Sequence, residues 1–231
     1  NKIESFLQKS KKLALVVDLD LTLIQATEIN NDQEAEEIIS MDIDHKTDYF
    51  TITLNNDQRF LIRLRPYVRE FLRQLSPHFF MYIYTLSIRP YALQIVPYID
   101  PQGQFFGQRI MTQKDFFQQK KSISDILPSG ENMAVVIDDS PFAWMEDDGS
   151  VFKGLVQFKP FKFFTQDCKR RKQKNPKIDE VDLSAIHDHY LERMAKVLLN
   201  IHTNFFRTTT NDVSVIINDM KKAVFGGCYI C

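Results

Sequence analysis

Asp18 and Asp20 stand two residues apart directly after the apolar run Leu13 to Val17, and Asp138 and Asp139 stand together after a second run, Met133 to Ile137. Acidic side chains placed this way suit phosphoryl transfer. A carboxylate is a poor nucleophile toward an anionic phosphate unless its charge is offset, and Mg2+ supplies that offset while accepting carboxylates, water and phosphate oxygens as ligands. On this reading Asp18 attacks phosphorus and carries an aspartyl-phosphate. Asp20, which an extended chain would point the same way, protonates the departing oxygen and then deprotonates the hydrolytic water. Asp18, Asp20 and Asp138 form the expected metal set, and Asp139 assists through water or by holding a cation. Thr85 follows a third apolar run, Phe79 to Tyr84, and offers its hydroxyl and backbone N–H to phosphate oxygens. A lysine must balance the phosphoryl charge; Lys121 is the candidate, with its neighbour Lys120 able to exchange roles. Taken singly, aspartates after a strand are turn formers or helix caps, and a lone lysine is a solvated surface group. Convergence from separate strands is what argues for chemistry.

Three such runs, apolar without alternation, read as strands covered on both faces. Helical spacing between them (Val68, Phe71, Leu72, Leu75; then Tyr91 to Tyr98) makes the pattern that of an α/β fold with a parallel sheet flanked by helices. In such sheets ligands bind beyond the carboxyl ends of the strands, where Asp18, Thr85 and Asp138 fall. Residues 1–12 read as a helical lead-in, residues 28–48 as an exposed polar insertion, and Tyr49 to Leu54 with Arg59 to Leu64 as a hairpin around Asn55-Asn56-Asp57. The hairpin is expected to wall the cleft. Lys121 to Leu127 reads as a short helical stretch and Gly154 to Phe158 as a last strand. Lys169 to Lys177 is a basic, solvated linker, and Leu183 to Ile201 an amphipathic helix. His187, His189 and His202 suit that helix and receive no catalytic role.

The 231 residues carry 29 basic and 30 acidic side chains, a net charge of −1, and 44% hydrophobic residues. That composition builds a sizeable core and gives no bulk attraction to nucleic acid. No apolar run approaches the ~18 residues that span a bilayer, so neither a membrane nor direct nucleic-acid partner is expected. Cys168, Cys228 and Cys231 make no disulfide framework, and a reducing compartment, cytosol or nucleus, is the default.

The segment VVDLDLTLIQAT (Val16 to Thr27) resembles the DxDxT signature of the haloacid dehalogenase superfamily, and more narrowly the FCP/SCP group of RNA polymerase II C-terminal domain phosphatases. IRLRPYVREFL (Ile62 to Leu72), YIYTLSIRPYA (Tyr82 to Ala92), IDPQGQFFGQRI (Ile99 to Ile110), KSISDILP (Lys121 to Pro128) and VVIDDSPFAW (Val135 to Trp144) follow in that group's order. The paired aspartates, the IDP segment and the trailing tryptophan point to the FCP branch. Ser140 departs from the group, which usually carries Arg there.

The resemblance implies a Mg2+-dependent protein-serine phosphatase acting on the phosphorylated C-terminal domain of RNA polymerase II, located in the nucleus, with general transcription factors as further partners. It adds Arg65 as a contact to the substrate phosphate and Asp100 as support for the site's geometry. It also implies a catalytic domain over residues 1–168, a basic linker and helical segment over 169–220, and the opening strand of a truncated BRCT domain over 221–231. Two other readings stand beside it: an inactive phosphopeptide-binding scaffold, and a small-metabolite phosphatase of the same superfamily.

Overall fold

A computed structural model describes residues 2–40, 48–113, 119–164 and 188–225. At its centre lies β1 (Leu13–Val17), buried at every position, as expected of a strand covered on both faces. β5 (Phe79–Tyr84) pairs with one of its edges and β7 (Ala134–Asp138) with the other, both parallel. β6 (Ile110–Met111) and β8 (Leu155–Gln157) extend the sheet outward in parallel. The five-stranded order is β6-β5-β1-β7-β8. Strand order therefore reverses direction at β1, the place where open α/β sheets hold ligands.

A second sheet has three strands. The anticipated hairpin is its β3 (Tyr49–Thr53) and β4 (Arg59–Leu64), antiparallel and joined around Asp57 in a left-handed conformation. β2 (Ile24–Ile29) pairs with the other edge of β4, which gives the order β2-β4-β3. The region 28–48 is therefore not a plain exposed insertion. It begins inside β2 and continues into helix α2 (Asp32–Ser40), whose Ala35 and Ile38 are buried against Leu61, Phe161, Phe163 and Phe164. Those two apolar positions, three apart, were hidden among acidic neighbours that face solvent. Gln25 of β2 fastens this cluster: its Nε2 donates to the Phe164 carbonyl, and its Oε1 accepts the N–H groups of Phe163 and Phe164.

Helices α3 (Val68–Leu75) and α4 (Arg89–Ile99) fall where helical spacing placed them. α1 (Lys2–Ser10) matches the lead-in. Of Lys121 to Leu127, only Ile123–Asp125 is helical, as one 3-10 turn. The expected basic linker lies outside the described residues, as do His187, Cys168, Cys228 and Cys231. The amphipathic helix, expected from Leu183, is described as α5 (Tyr190–Arg207) and packs against α3. Its Leu191, Ala195, Leu198, Ile201 and Phe205 join the same core as β1, so this segment completes the core instead of standing apart from it. Lys221 to Phe225, expected as the opening of a BRCT strand, forms the end of helix α6 (Val213–Phe225). Val213, Ile216 and Ile217 of α6 reach the same core, and that helical spacing outweighs the short apolar run behind them.

Candidate active site

The Asp18 N–H still donates to the Ile137 carbonyl at 3.1 Å, so the chain stays in register with β7 one residue beyond β1. It then reverses sharply. The Leu19 carbonyl accepts N–H groups from Thr22, Leu23 and Ile24, and Leu21 takes a φ of 59° in the left-handed region. This loop swings Thr22 toward the end of β7, where its Oγ1 accepts the Asp139 N–H at 3.1 Å. Asp18, Asp138 and Asp139 each offer a carboxylate oxygen, and the three atoms lie within 4.8 Å of one another.

Lys121 lies between two of these carboxylates. Its Nζ donates to Asp18 Oδ1 at 2.6 Å and to Asp138 Oδ2 at 2.7 Å, with all three side chains almost wholly buried. The ammonium is aimed by its own backbone, whose N–H donates to the Ala143 carbonyl at 2.6 Å. Asp138 is further held by Trp144 Nε1, which donates to Oδ2, and by the Ser140 N–H, which donates to Oδ1, both at 2.8 Å. Lys120, by contrast, is half-exposed and lies 3.8 Å from Asp147 on the surface. Of the two lysines, Lys121 is the one buried among the carboxylates.

Burial pushes Asp18 up to about 8; repulsion from Asp138 and Asp20 adds to the rise, and Lys121 opposes it. Burial pulls the Lys121 ammonium down, but Asp18 and Asp138 overcome that and hold it above its ordinary value. Asp139 is raised by burial and then by Asp138. Three hard oxygen donors with more negative charge than one ammonium offsets are the donor set of a small divalent cation such as Mg2+. The residues present therefore fit the ion.

The side-chain cluster differs from the expected metal set. Asp139 is in it and the Asp20 carboxylate is not. Tyr91 OH donates to Asp20 Oδ1 at 2.6 Å, and Ser87 Oγ donates to Oδ2 at 2.8 Å. Asp20 is close enough to raise Asp18 by repulsion, but its two oxygens are engaged by Tyr91 and Ser87. Burial raises Asp20, with the Tyr91 and Ser87 hydrogen bonds opposing the shift.

Thr85 is buried at the end of β5, but its N–H donates to the Met111 carbonyl and so belongs to the sheet. Its Oγ1 accepts the Ser87 N–H at 3.0 Å and keeps a hydroxyl hydrogen to donate. Asp100 accepts the N–H groups of Gln104, Phe105 and Phe106, each at 2.9 Å. It contacts no other predicted site residue; it pins the loop that leads to β6, and β6 holds Thr85. Arg65 is 2% exposed. Its Nε donates to Asp188 at 2.9 Å, its Nη1 donates to the Thr22 and Lys159 carbonyls at 3.1 Å, and its guanidinium lies over the Tyr190 ring. Those bonds make it a strut between the catalytic loop and the start of α5. His189 stacks on Tyr67, and His202 meets the Lys11 carbonyl, both away from the cluster.

Thr22, Ser87, Tyr91 and Trp144 received no role from the sequence. Each lies within a quoted motif, but nothing in local spacing says that its polar atom turns toward an aspartate.

The model of the NLI interacting factor-like phosphatase family matches residues 13–181. A relative from Arabidopsis thaliana, RNA polymerase II C-terminal domain phosphatase-like 4, is 28% identical, with 97% of this chain covering 53% of that protein. An RNA polymerase II C-terminal domain phosphatase of Caenorhabditis elegans is 29% identical over 98% of this chain and 34% of its own length. The chain thus spans about half or less of these curated relatives. A solved structure of Fcp1, described as an essential RNA polymerase II CTD phosphatase, is 25% identical with a TM-score of 0.78, covering 98% of this chain and 75% of that one. The family model alone takes in well over half of the sequence, including every residue of the aspartate–lysine cluster, and the chain belongs to the NLI interacting factor-like phosphatase family.

Proposed function

We propose that this protein is a Mg2+-dependent phosphatase that removes phosphate from serine in the C-terminal domain of RNA polymerase II, acting in the nucleus. One observation carries the reading: buried Lys121 bridges Asp18 and Asp138 within a cluster of three carboxylates at the sheet's reversal point. The substrate is taken from the names of the relatives.

Asp18, Asp138 and Asp139 would hold Mg2+, which when bound offsets carboxylate charge and polarises the phosphoryl group. Asp18 attacks phosphorus through a carboxylate oxygen as the bond from phosphorus to serine Oγ breaks. Lys121 balances charge on the phosphoryl oxygens, and the Thr85 hydroxyl donates to one of them. Asp20 passes its proton to the departing Oγ. It then takes a proton from the water that attacks the aspartyl-phosphate, which returns Asp18 as a carboxylate. Asp100 and Arg65 support this site through the β6 loop and α5.

Phosphate release from a phosphoserine heptad peptide, compared with sugar phosphates, tests the reading. Asp18→Asn should cut peptide turnover by orders of magnitude without unfolding the protein, and chelation should abolish it reversibly. Wild-type protein that frees no phosphate from the peptide with Mg2+ present would hand the case to a binding scaffold. Faster turnover of sugar phosphates would favour the small-metabolite reading.

A further inference from the structure

We propose that Ser87 and Tyr91 are positioning residues that hold Asp20 on the leaving-group side of the site; the inference rests on the phosphatase reading above. Each carboxylate oxygen of Asp20 is met by a different hydroxyl, Tyr91 OH at 2.6 Å and Ser87 Oγ at 2.8 Å. Two donors on two oxygens fix both torsions of a short side chain that otherwise samples several rotamers. Proton transfer requires the acid within hydrogen-bond reach of the departing oxygen, so this restraint bears on the rate.

The two anchors are themselves well placed. Tyr91 is buried on the first turn of α4 and packs edge-on against Phe60 of the second sheet. Ser87 donates its backbone N–H to Thr85 Oγ1, which ties the acid's holder to the residue assigned to the phosphate. Both also line an open cleft of about 330 Å³ with Leu54, Phe60, Leu86 and Ile88. The residues that anchor the acid thus form part of the wall of a largely apolar trough beside Asp20. Each carboxylate oxygen has two lone-pair sites, so an anchor persists while the proton moves from Asp20 to serine Oγ. That oxygen keeps the electron pair of the broken P–O bond.

Leaving groups distinguish this role from general support of the fold. A serine alkoxide must be protonated as it departs, whereas p-nitrophenolate is stable as an anion. The measurement is kcat/KM, which reports the path up to phosphoryl transfer, on a phosphoserine peptide and on p-nitrophenyl phosphate with Mg2+. Tyr91→Phe keeps the ring packing and should lower the peptide-to-nitrophenyl ratio of kcat/KM about tenfold, a fraction of what general acid catalysis contributes. Ser87→Ala should lower the same ratio, and Ser87→Thr, which restores a hydroxyl, should return it toward wild type. An active wild type whose ratio survives both Tyr91→Phe and Ser87→Ala overturns the inference alone, whether the two rates fall together or not at all. A Ser87→Thr ratio no better than Ala overturns the assignment to Ser87. A wild type that leaves the peptide untouched overturns the phosphatase reading and this inference with it.

Discussion

Lys121→Met keeps most of the aliphatic stem and removes the ammonium that donates to both Asp18 and Asp138. In metal-free protein Asp18 is already pushed up to about 8, chiefly by burial, so it carries a proton near neutral pH. What remains after the substitution is the charge of Asp138, which is 1% exposed. Leaving that charge without its cation costs about 3–5 kcal/mol. At about 2–4 °C per kcal/mol for a chain of this size, thermal unfolding in EDTA at pH 7 should fall by about 6–20 °C.

The pH dependence of stability at this cluster has a definite sign. A carboxyl raised in the folded state binds more protons there than in the unfolded chain, so stability falls as pH rises between the two values. For Asp18 itself the contribution is full below 3.8 and is lost as pH climbs through about 8. Mg2+ should stabilise the variant, since it binds only the folded cluster. A melting point within about 2 °C of wild type in EDTA would refute the buried-charge account of Lys121.

Arg65→Met breaks a buried pair with Asp188 and two hydrogen bonds to carbonyls, at a cost of about 3–5 kcal/mol. Calorimetry should show a clear loss of stability; an unchanged melting point with a raised KM would instead make Arg65 a direct phosphate contact. Gly154→Ala would place a Cβ 2.5 Å from the Ala134 carbonyl oxygen on neighbouring β7. The overpacking should cost about 1–3 kcal/mol in denaturant unfolding, and a neutral effect would mean that β8 shifts freely. Trp144→Phe deletes the indole donor to Asp138 but retains an aromatic ring against Tyr84. It should destabilise by about 1–3 kcal/mol and weaken Mg2+ binding in a titration; unchanged affinity would mean that Lys121 and Ser140 orient Asp138 without it.

How much of this was legible in the chain differs from residue to residue. β1, β5 and β7 were readable because a strand covered on both faces must be apolar at every position, and Leu13 to Val17 contains nothing else. Asp18, Thr85 and Asp138 could be assigned to one edge because parallel strands end at the same side of a sheet. Helix α2 was not readable, since its two buried residues find their partners in Phe161, Phe163 and Leu61, far along the chain. The end of α6 was misread for a similar reason: a short apolar run does not by itself distinguish strand from helix.

Residue type determined which groups could do chemistry here, and tertiary structure decided which of them meet. Local periodicity records whether a position faces the core, because burial follows from the geometry of one strand or helix. Hydrogen-bond partnership between side chains 67 or 71 residues apart, such as Asp20 with Ser87 and Tyr91, leaves no such trace. Those hydroxyls hold Asp20, while Asp139 completes the carboxylate cluster with Asp18 and Asp138. Lys121, docked by its backbone against Ala143, lies among the carboxylates, and Arg65 meets Asp188 just ahead of α5. Each outcome depends on how distant segments come together in space, which is why spacing along the chain could nominate these residues but not pair them.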